Sequence, residues 1–209
     1  MDPRPSQMPT KRELTSREKE TVQSFEELPF KTLTQKVELI LVWRKLKRGT
    51  QIILSPEITD INLKIMIKII EKAGLFCKIA EDKDSKNPRK ACFIANNQEV
   101  LESLSNLFFG DHLNSSVCLE LGKIYGFPKT AIEAFKKNHN SMININNNKD
   151  EFFLTWEEVE EKIPKDLQPF IGFKFSKDHW EEELKILEKW AEEIKLVSPE
   201  LYKLKIQSV

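Results

Sequence analysis

The sequence predicts an α/β fold, or the related α+β class, in which helices pack on one face of a small sheet. Between residues 31 and 110, short runs of β-branched and aliphatic residues alternate with segments of helical spacing. Near the middle of the chain, a glycine and a proline separate two short helical patterns and predict a helix-corner-helix. A long amphipathic helix is predicted near the end from apolar residues at helical spacing: Trp180, Leu184, Leu187, Ala191 and Ile194.

The chain has 209 residues, which is enough for one domain with a sizeable core. Residues 1–30 are polar and include three prolines among the first nine positions, so we expect a disordered or loosely attached arm. We expect a single α/β domain over residues 31–209. Its predicted parts are an α/β core at 31–110, a helix-turn-helix-like corner at 111–140, and a hairpin with acidic C-terminal helices at 141–209.

Capping residues and glycines mark the ends of the elements in the core. Thr34 is a suitable N-cap for a first helix, which Gly49 would end. Ser55, with Pro56 at the first helical position, predicts a second helix that runs to Gly74. The predicted elements are, in order, a helix over 35–48, a strand over 51–54, a helix over 55–74, two strands over 75–82 and 91–97 joined as a hairpin, and a helix over 98–109.

The C-terminal part continues with turn and capping signals. Turn-prone asparagines predict a hairpin from Met142 to Leu154. Thr155 and Glu158 have the spacing of a capping box, which predicts the start of a short helix. Residues 169–176 predict one more strand, and Asp178 is the expected cap of the long last helix.

The charge balance does not favour a dedicated nucleic-acid binder. Lys and Arg together number 33, Asp and Glu also number 33, and the sequence pI is about 6.9. Proteins dedicated to nucleic acids are usually basic as a whole. The charges are nevertheless uneven, since Trp43 to Arg48 is a basic run and the chain from Glu151 onward is rich in Glu.

Motifs of catalytic, metal and cofactor sites are not found in the sequence. Its three cysteines are far apart and include no C-x-x-C pair, which indicates reduced thiols in a cytoplasmic protein. We expect no catalytic residue set, no metal and no cofactor. The N-terminus lacks an apolar signal core, and no apolar run reaches the length of a membrane span, so we expect no membrane association.

The segment LGKIYGFPKTAIEAF, from Leu121 to Phe135, has the spacing of a helix-turn-helix unit. Gly122 is the small residue where two helices would touch, and Gly126 would form the turn. Phe127 would fill the angle between the helices, and Pro128 would open the second one. The same residues are equally expected in a tightly packed helical corner without a nucleic-acid role.

The chemistry of this segment supports DNA recognition less well than its spacing does. Its second helix contains no Arg, and Glu133 would face the phosphates. If the protein binds nucleic acid, the expected contact residues come from the two helical segments and from the basic run: Lys123, Lys129, Thr130, Lys136, Lys137, Arg44, Lys45 and Arg48.

The same fifteen residues resemble the Gly-x-Leu-Leu-Gly-Tyr-Pro-type stretch of the archaeal and bacterial family known as Domain of Unknown Function 483. Versions of such motifs carry adjacent cysteines after the proline, whereas Lys129 and Thr130 stand here. That departure removes a metal or redox role at this point. The family has no established activity, so the resemblance implies a fold unit and no function.

Three functions remain open from the sequence. The first is a non-catalytic module that binds a protein partner or a small molecule. The second is a DNA- or RNA-binding regulator that uses a helix-turn-helix-like element at residues 115–138. The third is an enzyme of unrecognised type, which would need a pocket around Asp111, His112 and Tyr125.

Overall fold

The computed structural model describes residues 13–81, 90–108, 115–144 and 151–208. It confirms the α/β class, since helices pack on a small antiparallel sheet. The described residues form three strands, β1 Gly49–Ile53, β2 Phe76–Glu81 and β3 Lys90–Ala95. They also form nine α-helices: α1 Ser16–Glu26, α2 Leu33–Trp43, α3 Asp60–Lys72, α4 Gln98–Phe108, α5 Ser115–Ile124, α6 Lys129–Asn144, α7 Trp156–Lys162, α8 Trp180–Val197 and α9 Pro199–Gln207.

The sheet has the strand order β1-β3-β2, and both pairs are antiparallel. The predicted pairing of β2 with β3 is confirmed, with Phe76 opposite Ala95 and Glu81 opposite Lys90. The predicted loop of this hairpin lies outside the described residues between 82 and 89. Because β3 is central, its backbone is hydrogen-bonded on both sides, and five of its six residues are buried.

Helices cover both faces of the sheet, so the expectation of a single covered face is wrong. On one face, Cys92 and Ile94 join a core that contains residues of α1, α2, α3, α8 and α9. On the other, Phe93 lies in a second core with Leu104 of α4 and Leu121 of α5. Successive side chains of a strand point to opposite faces, and a strand buried on both faces is apolar throughout.

The N-terminal segment is folded from residue 13, which corrects the expectation of an arm over residues 1–30. Thr15 and Glu18 form a capping box that begins α1. Val22 and Phe25 are buried, and the Phe25 ring lies edge-on to Trp43 of α2 with 5.8 Å between the centroids. Only these few apolar positions mark α1, which explains why the sequence pattern did not reveal it.

The first predicted helix begins and ends earlier than expected. Thr32, rather than Thr34, is the N-cap of α2, because it forms a capping box with Gln35. The helix ends at Trp43, and Lys45 follows with a left-handed φ of 60°. Residues up to Arg48 therefore form a tight turn, and Gly49 begins β1 instead of ending a helix.

The second predicted helix begins at Asp60, and its cap is Thr59 rather than Ser55. Thr59 accepts a hydrogen bond from the backbone of Asn62, which satisfies a donor of the first turn. The Ser55 hydroxyl instead accepts from the backbone of Glu57 within a turn. The proline signal at position 56 therefore marks a turn here.

The predicted hairpin from Met142 to Leu154 is wrong in its first part, because α6 continues through Asn144. Residues 145–150 of that prediction lie outside the described residues. Further on, Phe153 forms one β-bridge with Ser176. The strand predicted over 169–176 is otherwise a 3₁₀ turn, Gln168–Phe170, followed by irregular chain.

The C-terminal helices combine one confirmed pattern with one new element. The capping box of Thr155 and Glu158 begins α7, and the periodic residues from Trp180 onward form α8, both as predicted. The N-cap of α8 is His179, which makes no side-chain capping bond, so the expected Asp178 cap is wrong. Ser198 then caps α9, a helix that the sequence analysis does not predict.

We predict that Phe25→Ala lowers the free energy of unfolding by about 3–5 kcal/mol, as for other fully buried phenylalanines. The loss arises because removal of the Phe25 ring leaves a cavity between α1 and Trp43 of α2. Urea denaturation followed by circular dichroism measures it. Lys19→Ala, on the exposed side of α1, is the control. An unchanged midpoint for Phe25→Ala would show that residues 13–30 are a loose arm after all.

Candidate ligand pocket at the helix corner

Helices α5 and α6 meet at a corner that the backbone of residues 122–127 closes. The Phe127 N–H donates to the Gly122 carbonyl at 2.9 Å, and the Gly126 N–H donates to the Lys123 carbonyl at 3.3 Å. Gly126 has a φ of 72°. This pair of bonds around a left-handed residue is the Schellman motif, in which glycine is the usual residue.

Both glycines of the corner lie where a side chain would meet a neighbour. A Cβ atom at Gly122 would lie 3.1 Å from Cγ1 of Ile132, so α5 and α6 approach closely there. A Cβ atom at Gly126 would lie 2.8 Å from the carbonyl oxygen of Leu46. The corner is therefore closely packed against the turn that follows α2.

A pocket of about 320 Å³ opens beside this corner. Tyr125 from α5, Phe127 from the corner and Phe135 from α6 line it together with Phe153 and Phe173 from the C-terminal part. Smaller apolar residues complete the wall, among them Cys118, Leu121, Gly122, Ala131 and Ile132. The walls thus come from two helices and from two segments that lie far along the chain.

Tyr125 is the one tyrosine among the described residues that line this mainly apolar pocket. Its side chain is largely buried, and burial together with the nearby Glu38 carboxylate raises the pKa of the phenol well above its usual value. The phenol therefore stays neutral and keeps its proton.

Lys174 is the one charged side chain among the described residues that line the pocket. It is exposed, and its Nζ lies 5.5 Å from the centroid of the Phe153 ring. Its neighbours Phe173 and Phe175 are both buried. The alternation of these three residues places the ammonium group at the solvent side of the pocket.

Behind Phe127, an ion pair joins the buried Lys47 to Glu38, whose side chain is partly exposed. The Lys47 Nζ donates to both carboxylate oxygens of Glu38, at 2.8 and 2.7 Å. It also lies 4.2 Å from the centroid of the Trp190 ring and 5.9 Å from that of Phe127. Burial lowers the pKa of Lys47, and the Glu38 charge opposes that shift. One wall of the pocket therefore rests on this ion pair.

The first turn of α6 is held by a buried carboxylate of α8. Glu183 accepts a hydrogen bond from the Thr130 hydroxyl at 2.7 Å. It also accepts from the backbone N–H and the hydroxyl of Ser176, at 2.7 and 2.6 Å. Three donors compensate for the loss of water around this fully buried group. The same contacts hold the start of α6 against α8 and against Ser176, which follows the pocket residues Phe173 and Lys174.

Four of the residues predicted to contact nucleic acid make contacts within the protein. Arg44 pairs with Glu18 at 3.3 Å and with Glu193 at 2.6 Å. The other contacts join Lys123 to Glu120 at 2.5 Å, Lys129 to Glu133 at 3.7 Å, and the Thr130 hydroxyl to Glu183. If α6 were a recognition helix, Lys129 and Thr130 in its first turn would face DNA. Here the Thr130 hydroxyl instead faces the Glu183 carboxylate.

The other four predicted contact residues are exposed. Lys136 and Lys137 lie on α6, and Lys45 and Arg48 lie in the turn after α2. The structure brings that turn to the corner, because the Arg48 N–H donates to the Ile124 carbonyl at 3.0 Å. Contact of these residues with nucleic acid stays a prediction.

Asp111 and His112, the residues proposed for an enzyme site, lie outside the described residues. The described residues contain no group of three or more His, Cys, Asp or Glu side chains that could hold a metal ion. Within the same parts of the chain, no helix combines the length and apolar character that crossing a membrane requires.

The residues that complete the pocket carry no sequence signal of their own. Phe153, Phe173 and Lys174 lie some thirty to fifty positions beyond the corner, and no local pattern links them to it. Lys47 belongs to a basic run whose other members are exposed or half-buried. Burial of one lysine from such a run depends on tertiary contacts.

Comparisons of this chain with models of known protein families, with curated proteins and with solved structures find no match. The resemblance of residues 121–135 to Domain of Unknown Function 483 therefore stays a prediction. Only the geometry of the corner and its pocket bears on the function.

We predict that Gly126→Ala destabilises the protein more than Gly74→Ala. Gly74 ends α3 in the same Schellman motif with a φ of 79°, but no atom lies within 4 Å of its added Cβ. Gly74→Ala should cost about 1 kcal/mol for the left-handed backbone. Gly126→Ala should cost at least about 2 kcal/mol, because its Cβ also meets the Leu46 carbonyl. Equal losses in urea denaturation would contradict the close packing of the corner.

We predict that Glu38→Gln lowers the free energy of unfolding by about 3 kcal/mol, because it leaves the Lys47 ammonium buried without a counter-charge. Adding Lys47→Met should recover part of this loss, since no charge then remains buried. Urea denaturation of the two single variants and the double variant measures the coupling. Glu200→Gln, in the exposed pair with Lys203, is the control and should change little. Additive losses would contradict a coupled buried pair.

Proposed function

We propose that this protein is a non-catalytic binding module whose pocket at the α5–α6 corner receives a small, mainly apolar molecule. The pocket carries this proposal. Its volume of about 320 Å³ lies within the range of small-molecule sites, and its walls are apolar and aromatic with few polar groups. Close packing of both helices and the buried Lys47–Glu38 pair support walls that are formed before a ligand binds.

The chemistry of the lining supports binding more than catalysis. Among its described residues there is no His, Asp or Glu to serve as a general base. The Tyr125 phenol holds its proton firmly, because burial and the Glu38 charge raise its pKa. The lining therefore offers a ligand apolar and aromatic contact rather than a base, which is what a binding site requires.

The charges around the corner support a small ligand more than a nucleic acid. Phosphate backbones are bound by lysines and arginines that can exchange counterions for phosphates. At this corner, Lys123 and Lys129 already pair with carboxylates. In addition, the first turn of α8, which contacts Thr130 through Glu183, carries three consecutive glutamates.

We also propose that the protein works in the cytoplasm. The cysteines Cys77, Cys92 and Cys118 form no disulfide. Cys92 is fully buried on the central strand, and burial raises the pKa of its thiol. Thiols of this kind are typical of a reducing compartment.

The test uses the neutral fluorescent probe 1-aminoanthracene, and we expect it to bind with a rise in fluorescence. Ala131→Leu should weaken binding about tenfold, because the added carbons occupy the pocket. Phe135→Ser should weaken it as well, by removing an aromatic wall.

Trp156→Ser is the matched control, since Trp156 is an exposed aromatic residue that does not line the pocket. Circular dichroism should show that all variants remain folded. If the probe does not bind, or if Ala131→Leu and Trp156→Ser affect it equally, the proposed function fails.

A further inference from the structure

We propose that copies of this chain associate head to tail through two complementary surfaces. The basic face is one exposed side of α3, formed by Ile61, Lys64, Ile65, Lys68 and Lys72. The acidic face is an exposed part of α7, formed by Trp156, Glu157, Glu160 and Glu161. Neither face contributes a described lining residue to the pocket, so this inference goes beyond the proposed function and does not rest on it.

The basic face has an apolar centre with positive charges around it. Steps of three and four residues place its members on one side of α3. The other side of the helix carries Met66 and Ile70, which are buried in the core. Ile61 is 71% exposed and Ile65 is 49% exposed, and the three lysines beside them are exposed as well. An exposed apolar patch with a polar rim is typical of an interaction surface.

The acidic face has an aromatic centre with negative charges around it. Trp156 begins α7 and is 61% exposed, whereas Val159 of the same helix is buried. Tryptophan side chains are usually largely buried in folded proteins, so this exposure is unusual. The three glutamates of the face are exposed too. Among the described residues, Ile61 and Trp156 are the two most exposed large hydrophobic side chains.

The two faces complement each other in charge and in apolar character. Three ammonium groups can meet three carboxylates while the isoleucines cover the indole ring, which removes apolar surface from water. The exposure of Ile61 and of Trp156 shows that one face does not cover the other within a single copy. The complementary pairing therefore requires a second copy of the chain.

Other charged surfaces of the described chain fit this contact less well. Leu204 on α9 is exposed between two lysines, but Lys203 binds Glu200 at 2.8 Å and Lys205 binds the Thr34 hydroxyl at 2.7 Å. The first turn of α8 is acidic, but it carries no exposed large hydrophobic side chain. Only α3 and α7 combine a highly exposed apolar centre with a rim of like charges.

The contact joins two different surfaces, so each copy keeps one free face of each kind. Such a heterologous contact adds copies head to tail and forms a ring only if the rotation closes. A helix-on-helix contact also buries less area than a standard protein interface, so the association is weak and depends on concentration. Salt weakens it, because the charges lie at the surface.

The experiment is sedimentation velocity of the full chain over a concentration series, at about 0.05 M and about 0.5 M sodium chloride. We expect the average mass to rise with concentration at low salt and to fall at high salt. Lys64→Glu with Lys68→Glu reverses the basic face, and Glu157→Lys with Glu160→Lys reverses the acidic face. Each reversal should weaken self-association at least about tenfold, because like charges then meet.

An equimolar mixture of the two reversed variants should associate again. One variant then carries two acidic faces and the other carries two basic faces, so every contact between them is complementary. The matched control is Lys185→Glu with Lys189→Glu on α8, two exposed lysines with the same spacing as Lys64 and Lys68. It changes the net charge by the same amount and should leave association unchanged. Circular dichroism should show that all variants remain folded.

The outcomes that overturn the inference are distinct. A chain that stays monomeric at low salt, or a mixture that stays monomeric, excludes the contact. Association that both reversals leave unchanged assigns it to another surface. If vesicles containing phosphatidylserine bind the monomeric chain, and reversal of the basic face abolishes this binding, that face serves an anionic membrane surface instead. None of these outcomes concerns the binding of 1-aminoanthracene, so the proposed function is tested separately.

Discussion

The ion pair of the buried Lys47 with Glu38 is the interaction on which the rest of this structure depends. Lys47 lies in the turn after α2, Glu38 lies within α2, and the Thr50 hydroxyl of β1 donates to the same carboxylate at 3.4 Å. The ammonium group also faces Trp190 of α8 and Phe127 of the corner. An isolated buried charge is costly, so each of these segments is constrained by the need to satisfy the pair.

That constraint explains how the corner becomes the wall of a pocket. The turn that carries Lys47 lies so close to Gly126 that a Cβ atom there would touch the Leu46 carbonyl. Phe127 is held between the ion pair on one side and Phe173 on the other. Small residues at a helix corner allow close helix packing in DNA-binding units and in binding pockets alike, so the fifteen-residue motif cannot distinguish the two functions.

Local signals predicted much of the fold. The capping box of Thr155 and Glu158, the periodicity of α8 and the pairing of β2 with β3 depend on residues close in the chain, and the structure confirms them. The errors arose where several local signals compete. Two threonines near α2 are both suitable caps, and only Thr32 has Gln35 at the right spacing. A different error concerns α1, whose local signal is weak because the helix is mostly polar. Its packing of Phe25 on Trp43 is a tertiary contact.

The sequence by itself determined most of the core elements, the start of α7, the periodicity of α8 and the corner, because propensity, capping and left-handed glycines act within a few residues. Tertiary structure alone decided the site. Phe153, Phe173 and Lys174 reach the corner through long-range contacts such as the bridge of Phe153 with Ser176 and the bond from Thr130 to Glu183. Burial likewise selected Lys47 from a basic run. Both outcomes depend on which distant side chains meet, and local sequence spacing does not encode that.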